Sequence, residues 1–323
     1  MATPLDSEGQ MATQSDPEAM LPEERAERSA IAKIFTGRHG IRAGWRLAIF
    51  IAIFAALVGG SQFGLFHIPA LAAWQKAQDR HVFNPYQMLI GEGLSVLSLL
   101  IAAWIMTRIE KRTFADYYLP GSQAFGRRFL VGLPYGFAML SLLLAIIAAF
   151  HGFSLGGLAL TGREALYYGL LYAIGFILVG LFEEFSFRGY MQSTLTTGIG
   201  FWPAAILLSI CFGAVHLNNI GEAWFGALMA GSFGILATFS LSRTGNIWFP
   251  IGMHAGWDWG ETFFYSTPDS GFLAKGHLLS SSFHGPTWIT GGTVGPEGSA
   301  FVFLVLLLGA VGIHFMFPAR RAT

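Results

Sequence analysis

The chain has 323 residues, of which 53% are hydrophobic and only 12% are charged. A soluble domain carries about 25% charged residues, so this composition, together with long uncharged runs, places the protein in the membrane class. The formal net charge is zero, which gives no reason to expect a nucleic-acid partner. Cys211 is the single cysteine, so an intrachain disulfide and a multi-cysteine metal site are both excluded.

The first 43 residues differ from the rest of the chain. They are polar, acidic at first and then basic, and they contain no apolar run. This pattern is typical of neither a signal peptide nor a transmembrane helix. We predict a disordered cytoplasmic tail over residues 1–43 and a helical membrane domain over residues 44–323.

Eight stretches of the chain are apolar enough to span a bilayer, for which a helix needs roughly 20 mainly apolar residues. Irregular backbone is not tolerated in contact with lipid, so the predicted fold is all-α: a polytopic bundle of about eight transmembrane helices. The candidate spans are residues 45–66, 87–107, 129–150, 166–195, 202–219, 222–241, 246–264 and 299–317.

Basic residues predict the orientation of the bundle. They cluster before the first span, after the second span and at the end of the chain, which places both termini in the cytoplasm. The expected location is the inner membrane of a bacterium. Residues 265–298, rich in Gly, Ser and Pro, then form a long outer loop that we interpret as a linker rather than a lid. The basic residues that predict this orientation are Arg25, Arg28, Lys33, Arg38, Arg42, Arg108, Lys111, Arg112, Arg127, Arg128, Arg320 and Arg321.

The stretch LFEEFSFRGY, which begins at Leu181, puts two acids and an arginine in or at the end of a predicted span. A charged residue at the centre of a membrane helix costs about 2.5–3.5 kcal/mol and usually faces the bundle interior or a cavity. Glu184 and Arg188 are four residues apart, so they lie on one helix face and can form an ion pair. Glu183 points about 100° away and lacks such a partner, which makes it the better candidate for chemistry.

Two further motifs add histidines to this cluster. His216 ends the motif FGAVH, and His254 and Asp258 stand four residues apart in HAGWD. Counting from the intervening turns at about 1.5 Å per residue brings these side chains to a depth close to that of Glu183. The sequence therefore predicts one intramembrane polar cluster built from three helices. Its members are Glu183, Glu184, Arg188, His216, His254 and Asp258.

The three motifs EEFSFR, FGAVH and HAGWD, in that order, resemble those of the CPBP family of intramembrane proteases. This family includes the CAAX prenyl endopeptidases and bacterial relatives linked to bacteriocin processing or self-immunity. FADYYLPG, FRGYMQ and NIWFPIGMHAGWD are also similar to the family, and the resemblance covers about residues 90–265. It implies an endopeptidase that hydrolyses a peptide bond in a peptide or protein substrate at or within the bilayer.

The resemblance also implies a role for each residue of the cluster. Glu183 would act as general base on a water molecule, and His216 would help to hold or activate that water. His254 and Asp258 would bind the oxyanion or orient the substrate, while Glu184 and Arg188 would form a structural pair. An ionised aspartate accepts hydrogen bonds but donates none, so we expect Asp258 to orient His254.

A metal-dependent alternative uses the same residues. Glu183, His216 and His254 could hold a divalent ion such as zinc and leave an open position for water. The chain has no HExxH motif, which would bring two histidines together on one helix, so we favour a glutamate and histidine site with no certain cofactor.

Two other functions stay open at this stage. In a proton-coupled transporter the same acids and histidines would relay protons. A catalytically silent scaffold or immunity factor would instead bind a partner protein. The acids and the arginine alone could also be a buried ion-pair network that fixes helix packing.

The predicted orientation places the cluster in the outer half of the bilayer, whereas CAAX-type cleavage would need access from the cytoplasm.

Two further acids, Glu222 and Glu261, lie at predicted helix ends, where we expect a position at the solvated rim of the bundle.

Overall fold

The structure is a computed structural model that describes residues 35–37, 40–79, 82–218 and 224–318. Within these residues it is a helical bundle with three pairs of very short strands, so the predicted all-α polytopic fold is confirmed. Most of the predicted tail, as well as Glu222, lies outside the described residues. The described end of the tail contains a small hairpin, in which β1 (Thr36–Gly37) pairs with β2 (Gly40–Ile41).

Each of the eight predicted spans corresponds to a helix or to part of one. Two short helices lie in the connections. In chain order the helices are α1 (Ala43–Phe66), α2 (Pro69–Lys76), α3 (Pro85–Glu110), α4 (Arg127–Ala149), α5 (Gly162–Glu184), α6 (Gln192–Ile199), α7 (Phe201–His216), α8 (Trp224–Thr244), α9 (Trp248–Trp259), α10 (Thr287–Thr290) and α11 (Val302–Met316).

The helices differ in whether they are long enough to cross a membrane. In the described part of the chain, five helical stretches meet the requirement by length and apolar composition: α1, α3, α4, α8 and the continuous helix from Gly162 to Ile199. Helices α7 and α11 are apolar but have only 16 and 15 residues, and α9 has 12. The protein is therefore an integral membrane protein, but the count of eight spans is not confirmed.

The α-helical winding from Gly162 to Ile199 is interrupted after Glu184. The chain winds as a π-helix over Phe185–Met191 and then returns to α-helix as α6. A Cβ atom on Gly189 would lie 2.3 Å from the Phe185 ring, so the tight winding requires a glycine at this position. π-Helical turns are rare and occur frequently at functional sites.

Two glycine pairs with a spacing of four residues bring α4 and α9 into backbone contact. A Cβ atom added to Gly136 in α4 would lie 1.8 Å from the Met253 carbonyl oxygen. One added to Gly256 in α9 would lie 2.0 Å from the Leu133 carbonyl oxygen. Small residues allow such close approach between membrane helices. His254 lies between the two glycines of α9, so this contact fixes the backbone that carries it. The glycines are Gly132, Gly136, Gly252 and Gly256.

Helix α9 lies at the centre of the bundle, and every residue from Trp248 to Asp258 is buried. Its two faces belong to different hydrophobic clusters. Phe249 and Met253 pack with residues of α4, α8 and α11, whereas Ile251 packs with residues of α1, α3 and the π-helical segment. The polar side chains of α9 are therefore held inside the protein rather than in lipid.

The connections at one end of the bundle pair with one another. β3 (Val82–Phe83) pairs in parallel with β5 (Leu273–Ala274), and β4 (Phe153–Ser154) pairs in antiparallel fashion with β6 (Ser282–Phe283). The segment from residue 265 to residue 301, called the long loop below, is thus packed against two other connections. Its interpretation as a plain linker is wrong, because the pairing and the burial of loop residues such as Thr290 hold it in place.

Candidate active site

Glu184 holds the centre of the polar cluster. Its side chain is fully buried, and its Oε1 atom accepts hydrogen bonds from Arg188 Nη1 at 3.2 Å and from His254 Nδ1 at 2.9 Å. The ion pair between Glu184 and Arg188, expected from their spacing, is present. A paired carboxylate only accepts hydrogen bonds. In a neutral His254 ring the hydrogen therefore lies on Nδ1, and Nε2 is a hydrogen-bond acceptor.

The guanidinium group of Arg188 is held on a second side by an aromatic ring. Its central carbon lies 4.1 Å from the centroid of the Phe212 ring, which belongs to α7. Arginine stacks on aromatic faces in this way and pairs with a carboxylate at the same time. Arg188 thus connects α7 to the π-helical segment and to Glu184.

His254 directs its other ring nitrogen towards two more carboxylates. Nε2 lies 3.6 Å from Glu183 Oε2 and 3.5 Å from Asp258 Oδ2. Asp258 follows His254 by four residues on α9, so the two side chains lie on one face of that helix. The His254 ring is therefore fixed from one side by Glu184 and faces two further acids on the other side.

Glu183 is the most accessible acid of the cluster. Its side chain is 23% exposed, compared with 0% for Glu184 and 9% for Asp258. Its Oε2 atom is buried and has no hydrogen-bond partner among the described residues. A carboxylate oxygen in this position is free to accept a hydrogen bond from a water molecule or a substrate.

His216 joins the site through a shared cavity. Its Nδ1 atom lies 2.8 Å from the Phe212 carbonyl oxygen, which can only accept a hydrogen bond, so Nδ1 carries the hydrogen and Nε2 is an acceptor in the neutral ring. His216, His254 and Asp258 line one cavity of about 30 Å³. A cavity of this size is large enough to hold a water molecule.

The geometry therefore brings five of the six predicted residues into direct contact and places the sixth, His216, on a cavity that His254 and Asp258 also line. Residues 163–260, which include all six, match the family model of the type II CAAX prenyl endopeptidase Rce1-like proteins. The family resemblance is confirmed. No curated protein matches the chain. The match supports a CAAX-type intramembrane peptide hydrolase, whereas the role of each residue remains a prediction.

A second acidic cluster lies at the end of α9, outside the residues predicted from the sequence. Carboxylate oxygens of Glu261, Asp269 and Glu297 all lie within 4.8 Å of one another. Glu261 is completely buried, so its predicted rim position is wrong: the long loop covers it. Burial also raises the pKa of Asp269, in the long loop, to about 6.

Glu297 links this acidic cluster to the small cavity at His216 and His254. It belongs to the long loop, and it lines the cavity together with Trp257, His216 and His254. On the other side of the cavity wall, Trp257 Nε1 donates a hydrogen bond to Glu261 Oε2 at 2.7 Å. Sequence reasoning missed Glu297 because the segment around it, VGPEGS, contains only loop-forming residues and no periodic pattern.

The geometry also bears on the predicted metal alternative. Among the described residues, Glu261, Asp269 and Glu297 form the single group of three histidine, cysteine or acidic side chains whose ligand atoms converge within 4.8 Å. The predicted trio of Glu183, His216 and His254 is not such a group in this structure. Zinc at that trio stays a prediction, and the mechanism proposed below includes no step through a metal.

Proposed function

We propose that the protein is an intramembrane endopeptidase in which Glu183 activates a water molecule for attack on a peptide bond. One observation carries this proposal: a buried Glu183 oxygen without a hydrogen-bond partner lies 3.6 Å from His254 Nε2. A water molecule at hydrogen-bond distance from both atoms would bridge them from one side. The family match over the same residues supports peptide hydrolysis as the reaction.

In the proposed reaction, Glu183 takes a proton from the water as its oxygen attacks the carbonyl carbon of the peptide bond. The acceptor nitrogen of His216 holds the second hydrogen of the same water. Glu183 then passes the proton to the leaving nitrogen, so the products are a carboxylic acid and an amine. The acid afterwards gives up its proton, the second hydrogen of the water, and the pair becomes a carboxylate and an ammonium group. General base catalysis of this kind contributes about 10²–10⁴-fold to a rate.

His254 stabilises the negative charge that develops on the carbonyl oxygen. In its imidazolium form it donates from Nε2 to this oxygen, while Nδ1 stays hydrogen-bonded to Glu184. Asp258 orients the His254 ring through its contact with Nε2. Arg188 and Glu184 act as positioning residues, since they hold the His254 ring but do not reach the reacting atoms.

A wider cavity offers a path for the peptide. It has a volume of about 310 Å³, is lined by polar side chains such as Gln78 and Gln87, and reaches Glu92 in α3 and Val179 in α5. Val179 lies one turn before Glu183 on the same helix. We propose that an extended segment of a membrane-associated peptide or protein enters here, from the end of the bundle that carries the long loop.

The proposal is tested by cleavage of a quenched-fluorescent peptide library with the full-length protein in lipid nanodiscs. Wild type, Glu183→Gln and Glu164→Gln are compared, each with and without a chelator. Glu164 is a matched control, because it lies on the same helix but is exposed near its start. We expect cleavage by wild type and by Glu164→Gln, loss of cleavage in Glu183→Gln, and no requirement of cleavage for Zn²⁺.

Two outcomes would contradict this proposal. Cleavage by Glu183→Gln at the wild-type rate would remove Glu183 from the mechanism. Cleavage that stops with the chelator and returns with Zn²⁺, but not with Ca²⁺, would favour the metal-dependent alternative at Glu183, His216 and His254.

A further inference from the structure

The acidic cluster at the end of α9 has no part in the proposed reaction, yet it has the properties of a cation site. Glu261 belongs to the π-helical turn Gly260–Phe264 that follows α9, whereas Asp269 and Glu297 come from the two ends of the long loop. Carboxylates from a helical turn and from both ends of the long loop thus come close together. Such a convergence costs desolvation and repulsion unless a positive charge offsets it.

An oxygen atom without a partner points to a ligand at this place. Glu261 is fully buried, and its Oε2 atom accepts the hydrogen bond from Trp257. Its other oxygen, Oε1, is buried without a hydrogen-bond partner in the described part of the chain. A buried acceptor left in this state is costly, whereas a bound cation would satisfy it.

A backbone carbonyl lies beside the same oxygen. A Cβ atom built on Gly295 would be 2.0 Å from the Pro268 carbonyl oxygen and 3.2 Å from Glu261 Oε1. Gly295 has a φ of +112°, a conformation that favours glycine, so the loop passes close to the cluster at a residue without a side chain. The Pro268 carbonyl oxygen and Glu261 Oε1 therefore both lie next to Gly295, which makes this carbonyl a candidate for an additional oxygen ligand.

The cluster offers carboxylate oxygens as ligands, at a spacing that allows calcium. Calcium takes six to eight oxygen ligands at about 2.3–2.6 Å, so ligands on opposite sides of the ion are roughly 4.6–5.2 Å apart. The carboxylate oxygens here lie within 4.8 Å of one another. Magnesium requires bonds of about 2.0–2.1 Å in a strict octahedron, and structural zinc sites are built mainly from cysteine and histidine.

We propose that Glu261, Asp269 and Glu297 bind one Ca²⁺ ion, which fastens both ends of the long loop to the end of α9. The ion would hold Glu297 at the wall of the small cavity at His216 and His254 and would act on Trp257 through Glu261. Its role is structural, so it does not depend on the proposed reaction and is tested without a substrate.

The test is thermal unfolding of the full-length protein in detergent, in EGTA and in increasing Ca²⁺. Wild type is compared with Asp269→Asn, Glu297→Gln and the control Glu164→Gln. Ligand binding to the folded state raises stability by mass action, so wild type and Glu164→Gln should gain about 5 °C in Tm at a hundredfold excess of Ca²⁺ over Kd. Asp269→Asn and Glu297→Gln should lose that gain, and in EGTA they should melt at a higher temperature than wild type, because each removes one of the repelling charges.

This reversal of order between EGTA and Ca²⁺ is specific to a cation site, and a variant that merely misfolds would not show it. Equilibrium dialysis of the same detergent-purified proteins against radioactive Ca²⁺ should give one ion per wild-type chain and none for the two variants. A wild-type Tm that is equal in EGTA and Ca²⁺ would overturn the proposal. So would a Ca²⁺-dependent gain of the same size in Asp269→Asn and Glu297→Gln.

Discussion

Glu183 and Glu184 are neighbours in the chain, but they have opposite environments. Glu184 is fully buried between Arg188 and His254, whereas Glu183 is partly exposed and has one oxygen without a hydrogen-bond partner among the described residues. A shift of one position on a helix turns a side chain by about 100°, which is enough to separate a structural acid from a reactive one. The stability and the activity of the protein should therefore respond differently to changes at the two positions.

We predict that Glu184→Gln lowers Tm strongly and that Glu183→Gln leaves it nearly unchanged. Removing one partner of a buried ion pair leaves the other charge uncompensated and typically costs about 3–5 kcal/mol. Glu183 is in a partly exposed position and makes no hydrogen bond through Oε2, so we expect the protein to tolerate the amide side chain of Glu183→Gln. Thermal unfolding of the two variants in detergent measures the difference.

Arg188→Gln is a third variant for the same thermal unfolding experiment. It removes the other partner of the ion pair, so it should lower Tm about as much as Glu184→Gln does. If Glu183→Gln were the least stable of the three variants, the assignment of structural and reactive acids would be reversed.

At the scale of elements, the contact between α4 and α9 positions His254. The glycines of the two helices allow backbone contact, and α9 carries His254 between two of them. Any side chain inserted there must push the helices apart and move the His254 ring away from Glu184. A shift of about 1 Å is enough to reduce catalysis considerably.

We predict that Gly136→Ala and Gly256→Ala each lower Tm, although an alanine normally stabilises a helix by about 0.5–1 kcal/mol relative to glycine. The added Cβ atoms would lie 1.8 Å and 2.0 Å from backbone carbonyl oxygens. Gly93→Ala in α3 is the matched control, because no atom lies within 4 Å of its added Cβ atom, and its Tm should stay equal or rise. Equal behaviour of all three variants in thermal unfolding would contradict the close contact.

The sequence predicts much of these elements, for physical reasons that differ from one to the next. Apolar runs identify the helices because lipid and core both require them, and the spacing of Glu184 and Arg188 predicts their ion pair because one helix holds both. The π-helical winding at Phe185 has no sequence period of its own, so it could not be predicted. The packing of the long loop depends on pairing between distant segments, and for that reason Glu297 was missed.

At the scale of the whole molecule, the two ends of the bundle have different characters. At one end Arg46 pairs with Glu110, and the basic residues predicted to face the cytoplasm follow in the next connection. At the other end the long loop pairs with the connections that contain β3 and β4. The small cavity at His216 and His254 and the wider cavity are both lined by residues near this second end.

We predict that the wider cavity is reached from the long-loop side, which faces away from the cytoplasm. Single cysteines are introduced at Gln87, Ser280 and Ser122 after the native Cys211 is replaced by alanine. Gln87 lines the cavity, Ser280 is exposed on the long loop, and Ser122 is exposed at the basic end. A membrane-impermeant maleimide applied to intact cells should label the first two positions, and Ser122 only after the cells are opened.

The three positions test two claims separately: that the wider cavity opens on the long-loop side, and that this side faces away from the cytoplasm. Labelling of Gln87 together with Ser122 rather than with Ser280 would contradict the arrangement of the cavity. Labelling of Gln87 and Ser280 only in opened cells would leave the arrangement intact but would reverse the predicted orientation, and it would fit a substrate presented from the cytoplasm.

The central claim is that Glu183 activates water while Glu184 holds the site together, and its most direct test is the cleavage rate of Glu183→Gln. The measurement is kcat/KM for one cleaved peptide, with wild type, Glu183→Gln and Glu164→Gln in the same lipid and with Tm recorded for each. We predict a loss of about 10²–10⁴-fold in Glu183→Gln at an unchanged Tm, and no loss in Glu164→Gln. A kcat/KM of Glu183→Gln within a few-fold of wild type would contradict the account.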